Sequence, residues 1–339
     1  MKDKWVKKGL AVGIIILFVG TCIIPAIAQD TEKPLPASRG SWLYVGGSGP
    51  GNYTKIQDAI DNASDEDTVY VYNGTYNEFN INIRKSIFLL GEDKYSTIID
   101  ANLSGNCINI FSNNVTICGF TIRNANFPNG TGIALYSHNT TICDNIITNN
   151  DWWGIHIRGS NNNNISYNII SNNGWAGIYG RCSNQIIIGN KIMDNSIGIV
   201  LTYGSFNIIK HNNISGNNGF GLEFDYVTNS SITQNNFFNN KGNAVFVRSI
   251  LGELRVKLGN ELYYKKFHKE IYDPYYTPWK KNIWDENYWS RPRILPQPIF
   301  GSIRILGRES WVNDIPIPID CVNFDWHPAQ EPYDIPEMR

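Results

Sequence analysis

Glu223 and Asp225 stand two residues apart in a stretch of chain that is otherwise almost without charge. Only ten Asp, Glu, Lys or Arg lie between residues 101 and 240. On an extended strand that spacing separates their Cα atoms by about 6.5–7 Å. Acid and base in glycoside hydrolysis need carboxyl groups roughly 5–9.5 Å apart, so the distance permits a catalytic pair. Four of the remaining charged or polar groups share one offset: His156 and Arg158, then Tyr179 and Arg181. An Arg fork binds a carboxylate or sulfate bidentately. Arg181 could also serve as the base of a lyase. Trp152 and Trp175, at matching positions ahead of these pairs, offer flat apolar faces of the kind a sugar ring covers.

What must position these groups is a repeat of 22 to 23 residues. One anchor is Ile-x-x-Asn, at Ile142/Asn145, Ile165/Asn168, Ile187/Asn190, Ile209/Asn212 and Ile232/Asn235. A second runs half a repeat later, at Gly132-Ile133, Gly154-Ile155, Gly177-Ile178, Gly198-Ile199 and Gly221-Leu222. A constant period built from short alternating apolar runs predicts a β-solenoid, each repeat one coil, with stacking burying what one coil cannot. If Ile155, Ile178 and Leu222 face inward, alternation turns the next residues outward. Two columns then form on one sheet face: His156, Tyr179, Val200 and Glu223, and beside them Arg158, Arg181, Thr202, Asp225 and Arg248. The expectation is a ligand face for an extended polysaccharide or cell-envelope glycan, made of His156, Arg158, Tyr179, Arg181, Asp225, Arg248, Trp152 and Trp175. Exposed polar side chains are also ordinary on a solvated sheet, so that plainer reading stands beside it.

Asparagine follows the same period. Thirty-three of 44 Asn fall between residues 101 and 250. Asn tolerates the left-handed backbone of tight corners, and its amide can both donate and accept along a stack. Ten Asn-x-Ser/Thr sites occur; Asn52, Asn73, Asn102, Asn129 and Asn139 are the candidates for glycosylation. Cys118 and Cys143 each follow a core Ile in adjacent coils, and strands about 4.8 Å apart suit either a disulfide or two stacked thiols.

Ahead of the repeat, residues 1–28 read as a signal peptide: Lys2, Lys4, Lys7 and Lys8, an apolar run, and Ala26-Ile27-Ala28. The same run, kept uncleaved, could anchor the chain in a membrane. A linker spans 29–41. A strand and an amphipathic helix fill 42–67, with Ile56, Ala59, Ile60 and Ala63 on one stripe and Thr54 or Asn52 as cap, covering the open end of the solenoid. The parallel coils occupy 68–249. Residues 250–273 fit a helix or a strand equally, and 274–339 form a Pro- and Trp-rich final coil and tail. A net charge of -1 gives no basic stripe for nucleic acid. The cysteines lack metal-ligand spacing, so no metal and no cofactor is expected.

Three stretches resemble exported β-helix proteins of the NosD type, within the pectin-lyase-like superfold. They are Val45-Gly-Gly-Ser-Gly-Pro-Gly-Asn-Tyr-Thr-Lys-Ile-Gln-Asp-Ala-Ile, the Ile-x-x-Asn-x-Ile coils, and Asn282-Ile-Trp-Asp-Glu-Asn-Tyr-Trp289. The tail from Asn323 to Asp334 is similar to the ending of archaeal surface members. The resemblance implies an all-β, single-stranded right-handed parallel β-helix in an extracytoplasmic setting, with a carbohydrate-binding or sugar-hydrolysis type of domain. Copper, which the family name evokes, would want clustered Met, Cys and His. Three Met and five His, scattered, do not provide that. Pectate-lyase-like and polygalacturonase-like Asp clusters are missing from the coils as well. Three readings follow: a glycan-binding surface protein, a polysaccharide lyase or hydrolase on the same face, or a structural envelope protein docked through residues 274–339. Asp325 and His327 in that tail read as cap contacts.

Overall fold

The computed structural model describes residues 40–126, 130–249, 282–289, 297–305, 317–325 and 327–333. Residues 1–28, read above as a signal peptide, most of the linker, residues 250–273 and Asn129 lie outside the described residues. The rest winds as a right-handed parallel β-helix of about nine turns. Each coil visits three sheets in turn. The first holds ten strands, from Trp42–Val45 to Ile283–Asp285, and the second nine, from Gly74–Asn77 to Tyr288–Trp289. The third holds ten, beginning at Ile81–Ile83 and ending with Gln297–Ile305 and Ile317–Asp325. Every pairing is parallel until that last strand, which runs antiparallel to its neighbour.

Apolar side chains stack in register along the interior. In the first sheet Ile117, Ile142, Ile165, Ile187, Ile209, Ile232 and Trp284 lie opposite one another. The six isoleucines are fully buried and Trp284 nearly so. Each buried isoleucine contributes about 1.5–3 kcal/mol. No single coil could hide them, so the coils stabilise one another.

The Asn of Ile-x-x-Asn forms a buried ladder at the corner between the first and second sheets. The Oδ1 of Asn190 accepts from the backbone N and the Nδ2 of Asn168, at 2.9 and 3.0 Å. The Nδ2 of Asn190 in turn donates to Asn212 and to the carbonyls of Ile165 and Ile188. The pattern repeats from Asn145 to Asn287. A second ladder runs through Asn150, Asn173, Asn195, Asn217 and Asn240 at the next corner. Here each pair divides the work: Asn149, Asn172 and Asn239 adopt positive φ, and the Asn that follows joins the ladder. Corner amides that would otherwise be orphaned are thereby satisfied without water.

The Gly-Ile anchor has a steric origin. A Cβ on Gly177 would lie 2.8 Å from the Gly198 carbonyl oxygen and 2.8 Å from Cγ2 of Ile192. Gly132, Gly154, Gly198 and Gly221 meet the same obstruction. Cys118 and Cys143 face each other on the first sheet and are bonded, their Cα atoms 4.8 Å apart.

At the N-terminal end the helix Ile56–Asn62 buries Ile56, Ala59 and Ile60. Neither Thr54 nor Asn52 caps it. Lys55 holds the N-cap position without a side-chain bond. Instead the carboxylate of Glu78 accepts from the backbone N of Ile56 (2.7 Å) and Gln57 (3.1 Å). Asn52 is engaged elsewhere, donating to the Gly46 carbonyl at 2.6 Å. At the other end Asp325 takes the place of the next ladder Asn. Its Oδ2 accepts from the backbone N and Nδ2 of Asn287 and from Trp289 Nε1. His327 pairs with Asp285 at 2.8 Å.

Candidate functional site

The third sheet carries both sequence-derived columns on its outer side. Its register sets His156 opposite Tyr179, Tyr179 opposite Val200, and Val200 opposite Glu223. The neighbouring column reads Arg158, Arg181, Thr202 and Asp225. Between them Ile157, Leu201 and Phe224 are fully buried, so alternation turns the columns to the outer side, where His156, Val200 and Thr202 are nevertheless buried.

The column does not continue to Arg248. Val247 lies opposite Asp225, and Arg248 falls one residue beyond. The step from Thr202 to Asp225 is 23 residues and the next is 22, so a constant count overshoots. No Gly-Ile pair marks that last strand to correct the phase.

Around His156 the aromatic groups close into one cluster. Trp153 lies 4.1 Å from the His156 ring and 5.5 Å from Tyr179, stacked on the latter. Trp175 packs 5.0 Å from Tyr179, and Trp152 lies 5.1 Å from Trp153. Trp152 and Trp175 remain 42% and 37% exposed, so the cluster has an open side. Trp153 escaped the sequence reading for a definable reason. Alternation counted back from inward Ile155 would place Trp153 inside. Gly154, however, points its absent Cβ at Ile170 and Asn173, so two successive residues face the core and Trp153 emerges outside. The obstructed glycine is the signal that could have found it.

Electrostatics divide the face in two. Arg158 Nε donates to His156 Nδ1 at 3.2 Å. Burial, reinforced by the Arg158 charge, pushes the His156 pKa down to about 3. His156 is therefore a neutral acceptor that orients Arg158. The Arg158 guanidinium lies over the Tyr136 ring at 5.2 Å, and that of Arg181 over Tyr203 at 5.1 Å. Tyr203 stacks on Tyr226 at 4.9 Å. Toward the C-terminal end the face turns acidic. Glu223 is raised above the usual carboxylate range, first by burial and then by Asp225. A carboxyl so placed holds its proton longer than an exposed one, which is what a general acid requires.

Among the glycosylation candidates, Asn73, Asn102 and Asn139 are exposed. Among the described residues no group of three or more His, Cys, Asp or Glu could hold a metal ion. No described helix is long and apolar enough to cross a membrane.

Residues 106–249 match a family described as a right handed beta helix region. No curated protein matches the chain. Among solved structures the chain is similar to pectate lyase Pel9A, with 14% identity over 62% of this chain and 68% of that one, at a TM-score of 0.52. It is also similar to a pectin methylesterase from carrot, with 11% identity over 63% and 75% of the two chains and a TM-score of 0.41. The Azotobacter vinelandii mannuronan C-5 epimerase AlgE6 A-module gives 17% identity over 74% and 84%, with a TM-score of 0.43. The likeness to Pel9A shows that the two share a fold.

Proposed function

We propose that this protein binds an extended polysaccharide along the outer face of its third sheet, as an exported or surface-attached β-helix of the NosD type. The observation that carries the reading is the continuity of Trp152, Trp153, Trp175 and Tyr179 with Arg158 and Arg181 on adjoining coils. Aromatic plates take the apolar faces of sugar rings, and the Arg forks take acidic substituents. The fold's occurrence in a protein named a pectate lyase supports a polysaccharide as the ligand class. The Lys-rich start with its apolar run supports export. So does the Cys118–Cys143 bond, which suits an oxidising compartment.

Replacing Trp153 and Tyr179 by Ala is expected to weaken polysaccharide binding about tenfold or more, the order reported for losing aromatic anchors. Affinity electrophoresis through polysaccharide-containing gels reads this directly. Variants retarded as strongly as the parent protein would remove the face from the account.

A second reading, hydrolysis or lysis of the bound chain, is favoured by the raised carboxyl of Glu223 beside Asp225. Under it, Glu223→Gln abolishes chain shortening while binding survives. Shortening at the parent rate by Glu223→Gln would rule out the carboxyl as acid.

A further inference from the structure

At the N-terminal end of the third sheet lies a cavity of about 350 Å³. Gln57, Asp61, Phe79, Asn80, Asn82 and Arg84 contribute to its wall. The volume falls at the small end of the range for ligand sites, a size suited to a single sugar unit. Phe79 is 54% exposed there, presenting an apolar ring beside the amides of Asn80 and Asn82.

The cavity's charges are unequally engaged. Lys85 Nζ donates to the carbonyls of Ile60, Asp61 and Ala63, closing the C-terminal end of the helix. Asp61 Oδ1 accepts from Gln57 Nε2 at 2.8 Å. Arg84 is exposed and lies 4.3 Å over the Phe111 ring. Among the described residues it has no hydrogen-bond or ion-pair partner. Its planar fork is thus held by an aromatic face with its donors open, the arrangement that recognises a carboxylate or a sulfate.

Arg84 also begins the column described above. Phe111 stacks on Tyr136 at 4.9 Å, and Tyr136 receives Arg158 on its ring. The run Arg84, Phe111, Tyr136, Arg158 and Arg181 therefore occupies successive coils without a gap. Beyond Arg84 it stops. Ile81–Ile83 is the first strand of this sheet. Its free edge is closed by Gln57, whose Oε1 accepts from Asn82 N at 2.7 Å and whose Nε2 donates to the Asn82 carbonyl at 3.3 Å. A polymer lying along the face meets the helix there.

We propose that this cavity is a terminal subsite, in which the end of the bound glycan sits with an anionic sugar, carboxylated or sulfated, on Arg84. The inference rests on the polysaccharide reading of the face and adds to it that the protein recognises chain ends. Binding then counts chains and not chain length.

The test uses the full chain and three oligosaccharide series of matched length: uronate, sulfated and neutral. Each is prepared unmodified, with the reducing end converted to an alditol, and with the non-reducing end capped. Blocking one end of the preferred acidic series is expected to weaken binding roughly tenfold or more, and Arg84→Ala to do the same to the unblocked chain. Arg84→Ala should also abolish the sensitivity to blocking, and Arg84→Lys, which keeps the charge without the fork, should restore binding only in part. The series that depends on Arg84 identifies carboxylate or sulfate as the anion. Binding that survives Arg84→Ala and both blocked ends, yet is lost in Trp153→Ala, overturns the terminal subsite and leaves the face intact. Equal binding of the neutral series overturns it likewise. If no series binds at all, the subsite and the polysaccharide reading fall together.

Discussion

His156 is held neutral because its ring is buried between Trp153 and Tyr179 with the Arg158 charge against it. The unfolded chain takes up a proton at this histidine near pH 6.5, the folded chain only near 3. Between those values the unfolded state binds more protons. This group's contribution to stability therefore rises with pH up to about 6.5 and falls on acidification through the same window. His156→Gln keeps an acceptor for Arg158 and removes the titration. Denaturant midpoints compared across this window should diverge from those of the parent as pH falls, with the parent losing more. Parallel curves would show that His156 is not held neutral.

Corners and caps are decided at the level of the element. Asp325 gathers Asn287 N, Asn287 Nδ2 and Trp289 Nε1 on one oxygen, while burial raises its carboxyl above the usual range. Asp325→Ala should lower stability by about 3 kcal/mol or more, since buried donors lose their acceptor. Asp325→Asn supplies the amide that the rungs from Asn145 to Asn287 use and should stay within about 1 kcal/mol of the parent. Chemical denaturation of the two variants separates them, and equal losses would contradict the ladder-cap role. Such rungs were legible in the sequence because Ile-x-x-Asn repeats wherever a rung must form. The helical stripe of Ile56, Ala59 and Ile60 was legible for the same reason, through local periodicity. Contacts set by distant segments were not. Glu78 reaches the helix N-terminus from 22 residues away. Trp153 turns outward because Gly154 cannot carry a Cβ against Ile170. Arg248 misses its column because one coil is a residue shorter than the one before.

Over the whole molecule, the repeat turns isolated side chains into a continuous surface. From Arg84 to Asp225 the column crosses seven coils, a length of roughly 30 Å at the spacing of parallel strands. It begins cationic and aromatic and ends with Asp225 beside Glu223. A site of that length and polarity fits an extended chain better than a small metabolite, and the account stands on that fit. The most direct test is size-exclusion profiling of neutral, uronate and sulfated polysaccharides after incubation with the protein, run in parallel with Trp153→Ala. The account predicts that the protein co-elutes with an intact or shortened polymer, and that Trp153→Ala elutes alone. Every polymer passing unchanged and unbound would contradict it.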